Sequence, residues 1–139
     1  MYQSRDEIRQ VYLTVWGKMQ RRELLEPMEA LIAGVIEIHP EYHTLLEDSE
    51  ASAEAEYSPE QGQTNPFLHM GMHISLREQA QSNRPTGIQP LYQGLVAANG
   101  QHDAEHAMME CLGQALWQAQ RDGTEPDQSS YLECLRKLN

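Results

Sequence analysis

The sequence predicts an all-α protein, a helical bundle of about five main helices with short connections and one acidic loop. Three observations predict it. Apolar residues recur at i, i+3, i+4 and i+7 in almost every segment. No stretch shows the two-residue alternation of a half-buried strand. The periodic segments are separated by brief Pro, Gly and Asn punctuation of the kind that joins antiparallel helices. At 139 residues the chain fits one domain spanning 1–139, with residues 48–64 as an acidic loop within it.

The first helix is expected to open at Ser4, where Ser4 and Glu7 make a capping box. Ile8, Val11, Tyr12, Val15 and Met19 then form an apolar stripe, with Arg5, Arg9 and Gln10 on the opposite face. Pro27 suits the first position of a second helix, whose apolar face is Met28, Leu31, Ile32, Val35 and Ile38. Pro40 stops or kinks that helix, and a short continuation to Glu47 carries His43, Leu45 and Leu46.

Residues 48–64, DSEASAEAEYSPEQGQT, hold acidic and small residues with no basic one, the composition of a solvated acidic loop. The next helix begins at Asn65, a good N-cap, with Pro66 in the first helical position, and runs to about Gln81. Arg84-Pro85-Thr86-Gly87 reads as a turn, followed by a short helix from Ile88 that closes at Asn99-Gly100. Asp103 is the expected cap of the next helix, which carries Met108, Met109, Leu112, Ala115, Leu116 and Ala119 inward and ends at Gly123. After Pro126-Asp127, Tyr131, Leu132, Leu135 and Leu138 stripe a terminal helix. Gly71 and Gly113 fall inside helices and read as close-packing points.

Charge narrows the function. Ten Lys and Arg face 21 Asp and Glu, a formal charge of -11, which repels phosphate backbones and anionic membranes. No apolar run approaches the length of a span, and the first ten residues lack an apolar signal core. The expectations are a cytoplasmic chain with no nucleic-acid or membrane partner, a homodimer being the assembly left open. Cys111 and Cys134 form no C-x-x-C pair and are expected as buried free thiols.

The six histidines carry the chemistry. They fall into three pairs at spacing four, His39/His43, His69/His73 and His102/His106. Random placement would give roughly 0.2 such pairs. Four residues is a little over one helical turn, so both imidazoles of a pair share a face and two ring nitrogens can meet one ion. His69/His73 lies well inside one helix, and His106 lies inside another. His102 falls before the expected helix start, and His39 and His43 straddle Pro40. The expected metal site is therefore His69, His73 and His106, with His39 or Glu105 as the next ligand. Imidazole with carboxylate suits one divalent ion: zinc, iron, manganese or nickel. The glutamates fall outside the E-x-x-H register of carboxylate di-iron bundles.

Simpler uses stand beside each of these. A buried histidine can serve only to satisfy a carbonyl or a carboxylate such as Glu105 or Glu78. Met70, Met72, Met108 and Met109 fit core filling better than soft-metal binding. Arg77 can hold an anion or pair with Glu78.

The stretches NPFLHMGMHISLREQ, RPTGI, AEHAMMECLGQALWQAQRDG and PDQSSYLECL resemble a small bacterial family catalogued as domain of unknown function eighteen forty-one. The resemblance covers nearly the whole chain and is weakest over residues 48–64. It implies a small cytoplasmic bacterial protein. The family carries no established activity, so the resemblance assigns no catalytic or ligand residue. Three functional expectations come from the residues themselves: metal binding through histidines on two central helices; a non-enzymatic interaction or scaffold protein with structural histidines; and acid–base chemistry at His106 and Glu105, which needs an open pocket there.

Overall fold

The computed structural model describes residues 5–48 and 65–138, and among them all regular structure is helical. The elements are α1 (Arg5–Gln20), α2 (Pro27–Glu37), a 3-10 turn (Pro40–Tyr42), α3 (His43–Glu47), α4 (Pro66–Ser82), α5 (Ile88–Asn99), α6 (Gln101–Asp122) and α7 (Gln128–Arg136). The all-α class stands, with seven α-helices among the described residues where about five main ones were expected. The Ser4 capping contact and, apart from Asp48, the acidic loop lie outside the described residues. No described helix is long and apolar enough to cross a membrane. The chain divides into two compact units, Met1–Gly71 and Met72–Asn139, with the boundary inside α4.

In the first unit, α1 buries Tyr12, Val15 and Trp16, while Ile8 and Val11 are exposed. Arg9 was expected on the outer face. It is buried instead, its guanidinium 4.9 Å from the centre of the Phe67 ring, where the aliphatic stem can be covered and the charge meets a π face. The chain leaves α1 through Arg22 in the left-handed region (φ 56°). Pro27 then opens α2, and the Glu29 carboxylate accepts from the Glu26 backbone N–H at 3.0 Å. Ile32, Ala33, Val35 and Ile36 form the buried face of α2. Leu46 of α3 and Phe67 and Met70 of α4 are also buried in this unit. Tyr12 donates its hydroxyl to the Phe67 carbonyl at 3.2 Å.

The second unit packs the later part of α4 with α5, α6 and α7. Its core is Leu76, Ile88, Leu95, Met108, Met109, Leu112, Tyr131 and Leu135. Asn83 ends α4 with φ 53°, and its Oδ1 accepts from the Gly87 and Gln89 backbone N–H groups at 3.1 and 3.0 Å. The turn between contains a cis Arg84–Pro85 bond. Gly100, at φ 85°, joins α5 directly to α6. That junction moves the start of α6 to Gln101, with Gly100 rather than Asp103 as its cap, so His102 is helical. The same φ would strain any residue with a Cβ. Asp127 caps α7, accepting from Ser129 and Ser130 N–H at 3.0 and 3.3 Å.

Two expectations about this unit change. Cys111 and Cys134 are not free thiols; they form a disulfide joining α6 to α7, with Cα atoms 5.8 Å apart. Helical period placed both residues on buried faces, but only packing brings those faces within bonding distance. Leu116, expected inward, is 48% exposed, and Trp117 is 60% exposed with Arg121 over its ring. Gly71 and Gly113 do not mark tight approaches. A Cβ there would meet Tyr12 Oη at 3.5 Å and Met72 Cε at 3.8 Å, both ordinary contacts.

Candidate metal centre

The His39 and His43 geometry is set by Pro40. In a continuing helix the Ile36 carbonyl would accept from residue 40, but proline has no N–H. The His39 backbone N–H turns to Ile36 O instead, at 3.1 Å. That leaves the Val35 carbonyl without its helical donor, and His39 supplies one from its side chain, Nδ1 to Val35 O at 2.8 Å. His43 contributes a second donor to Ile36 O, from Nε2 at 2.9 Å. Both histidines thus cap the end of α2, yet they face different surroundings. His43 packs against Trp16, ring centres 4.7 Å apart. His39 is buried, stacks on Tyr42 with ring centres 5.4 Å apart, and meets the edge of His69 at 5.1 Å.

One turn beyond His69 on α4, His73 is fully buried. Its Nδ1 donates to Glu105 Oε1 at 2.7 Å. Arg77, a further turn along, donates from Nε to Glu105 Oε2 at 3.0 Å and from Nη2 to Oε1 at 3.4 Å. Tyr92 of α5 donates to Oε2 at 2.6 Å and itself accepts from Gln101 Nε2 at 3.0 Å. A carboxylate offers about four lone-pair directions. Two donors on each oxygen occupy all four, so Glu105 orients its neighbours and has no oxygen left for an ion. Burial pushes the Glu105 carboxyl up, but the hydrogen bonds from His73, Arg77 and Tyr92 and the Arg77 charge outweigh it and hold the group below its ordinary value. Burial, then the bond to Glu105, pushes the Tyr92 hydroxyl up to about 12, so it stays a donor at neutral pH.

His106 stands on the exposed side of α6, its ring centre 5.1 Å from that of His73. Its Nε2 lies 3.0 Å from Nε2 of His102. His39, His69, His73 and His106 each offer one ring nitrogen, and these atoms lie within 4.8 Å of one another. Glu105, the other ligand expected from the sequence, is not in this group; it is the hydrogen-bonding partner of His73.

The orientation of these rings has a chemical consequence. An imidazole that donates from Nδ1 to a carbonyl or carboxylate is, when neutral, in the tautomer that carries a lone pair on Nε2. His39 on Val35 O and His73 on Glu105 both have this arrangement, which is the support that metal-binding histidines commonly receive. Acid–base chemistry at His106 and Glu105 loses its requirement, because Glu105 is fully buried and saturated by donors.

Sequence reasoning missed Arg77 and Tyr92 as holders of Glu105. Arg77 had a signal, since it comes four residues after His73 on the same helix face. Tyr92 had none, because it reaches Glu105 only through the packing of α5 on α6.

The molecule is, at this level, an all-α protein with a histidine cluster. It belongs to the family described as Domain of unknown function (DUF1841), whose model matches residues 4–137. No curated protein and no solved structure gives a match.

Proposed function

We propose that this protein binds one divalent transition-metal ion through imidazole nitrogens of His69, His73, His106 and His39. The observation that carries the reading is the set of four ring nitrogens within 4.8 Å of one another. Four ligands around an ion with bonds of about 2.1 Å stand roughly 3.4 Å apart in a tetrahedron, and opposite ligands in an octahedron about 4.2 Å apart. The observed spread of up to 4.8 Å must contract by about 0.6 Å to meet the octahedral limit and by about 1.4 Å to meet the tetrahedral one. The Nδ1 bonds of His39 and His73 support the reading, because they select the tautomer that metal ligation requires. An all-imidazole shell suits zinc, iron or nickel and disfavours calcium or magnesium, which take oxygen ligands. Manganese, with its greater liking for oxygen, is the weakest fit of the four ions expected from sequence.

The test uses untagged full-length protein. Elemental analysis should find about one transition-metal ion per chain after purification or after loading with zinc, iron, manganese or nickel. The loaded protein should melt at a higher temperature, since an ion at 100 times its Kd stabilises the folded state by about 2.7 kcal/mol. His106→Ala, at an exposed position, should lose most of that stabilisation. Absence of both stoichiometric metal and a thermal shift with all four ions would overturn the reading.

A further inference from the structure

The groove formed by α6, α7 and their connection holds the Cys111–Cys134 bond, of which the metal-binding reading makes no use. It lies wholly within the second unit and encloses about 810 Å3, a volume in the range of small-molecule sites. Both cysteines line it, but they are not equally reachable. Cys111 is 2% exposed, whereas Cys134 is half-buried. A thiolate entering the groove therefore meets the Cys134 sulfur first.

Charge selects among such thiols. Asp122, Glu125, Asp127 and Glu133 line the same groove, against Lys137. An anionic thiol is repelled there, and a neutral or cationic one is not.

The bond is also not the sole anchor of α7. Tyr131 and Leu135 are buried in the core of the second unit, Tyr131 donates to Gln79 Oε1 at 2.7 Å, and Asp127 caps the helix. These contacts hold α7 in place when the bond is open, so the two sulfurs stay near enough to close it again.

We propose that Cys111–Cys134 is a reversible thiol–disulfide exchange site whose reaction partner is a neutral or cationic low-molecular-weight thiol. The incoming thiolate bonds to Cys134 Sγ, the bond between the two protein sulfurs breaks, and its electron pair leaves on Cys111 Sγ, which takes a proton from water. A second thiolate attacks the sulfur of the bound thiol. That step releases a small-molecule disulfide and leaves the electron pair on Cys134 Sγ, which is protonated in turn. Two small thiols are oxidised and one protein disulfide is reduced. The same steps in reverse, with the small-molecule disulfide as oxidant, close the bond.

The test treats oxidised, untagged full-length protein with cysteamine, 2-mercaptoethanol and mercaptoacetate, the cationic, neutral and anionic probes. Mass spectrometry of acid-quenched samples should show conversion to the dithiol under native conditions. Added salt should speed the reaction of mercaptoacetate and slow that of cysteamine, because screening removes repulsion from one and attraction from the other. The dithiol form should keep its helical circular dichroism and a cooperative melt, and cystamine should re-form the bond. Cys111→Ser, which lacks the resolving thiol, should retain a cystamine-derived adduct on Cys134. Cys134→Ser should leave Cys111 unmodified in the folded protein. Reduction only in denaturant, an adduct on Cys111, or loss of the folded state on reduction would make the bond a structural staple and overturn the proposal. The same salt response for all three thiols would overturn the class of thiol assigned.

Discussion

His73 donates from Nδ1 to Glu105 Oε1 at 2.7 Å, and neither side chain is exposed to solvent. This bond ties α4 to α6 and sets the orientation of a buried imidazole. Arg77 and Tyr92 hold the other side of the same carboxylate, so the orienting group is itself fixed. A site of this kind is precise because the supporting groups leave no alternative rotamer well satisfied.

Under the proposed metal-binding function, removing the charge at Glu105 should be felt as weaker metal binding. Glu105→Gln keeps the shape, but its amide cannot accept from all of His73, Arg77 and Tyr92. Metal affinity should fall by about 10- to 100-fold, the usual cost of losing a supporting hydrogen bond. Competitive titration against a chelator measures this. Unchanged affinity would detach Glu105 from the site.

The same carboxylate predicts the acid limb of stability. Its folded pKa lies below the ordinary value, so its contribution is complete above the unfolded value of about 4.3 and is lost as pH falls through the lower folded value. Metal-free wild type should be more stable than Glu105→Gln at neutral pH, and the gap should close as the solution is taken below about pH 4. Denaturant midpoints across pH give the comparison. A gap that persists undiminished in acid would contradict the ionised buried carboxylate.

His43 should behave as a structural histidine. Its ring bonds the Ile36 carbonyl and packs on Trp16. His43→Ala should cost about 1–2 kcal/mol in the metal-free protein. Metal stoichiometry, read by elemental analysis, should not change. Loss of metal with His43→Ala would bring this residue into the site.

The Cys111–Cys134 bond closes a loop with a sequence separation of 23. Chain entropy predicts a contribution of about 3 kcal/mol for a loop of that length. Cys134→Ser, or wild type in reductant, should melt at a lower temperature by a corresponding margin. Identical melting of oxidised and reduced protein would show that the bond adds nothing.

Gly113 should accept a methyl group. A Cβ there meets only Met72 Cε at 3.8 Å, and the residue is inside α6. Gly113→Ala should raise stability by up to about 1 kcal/mol, since alanine is the better helix former. A loss of stability by chemical denaturation would reveal a tighter approach than the contact indicates.

Helical period, proline and glycine placement and the spacing of the histidines were all legible in the chain. They determine that nearly every described segment is helical and that His69 and His73 share a face, because helix geometry is local and repeats every 3.6 residues. The break at Pro40 was legible too, since proline lacks an N–H and leaves α2 carbonyls in need of other donors. That His39 and His43 supply them from their rings was visible only in the folded chain. Tertiary packing decided the rest. It turned Arg9 inward onto Phe67, paired Cys111 with Cys134, and placed Tyr92 on Glu105. It also filled the Glu105 oxygens, so that a residue expected as a metal ligand became the group that orients His73. Those outcomes depend on which faces meet across long sequence separations, and no periodicity within a single helix encodes the identity of the side chain on the far side of a contact.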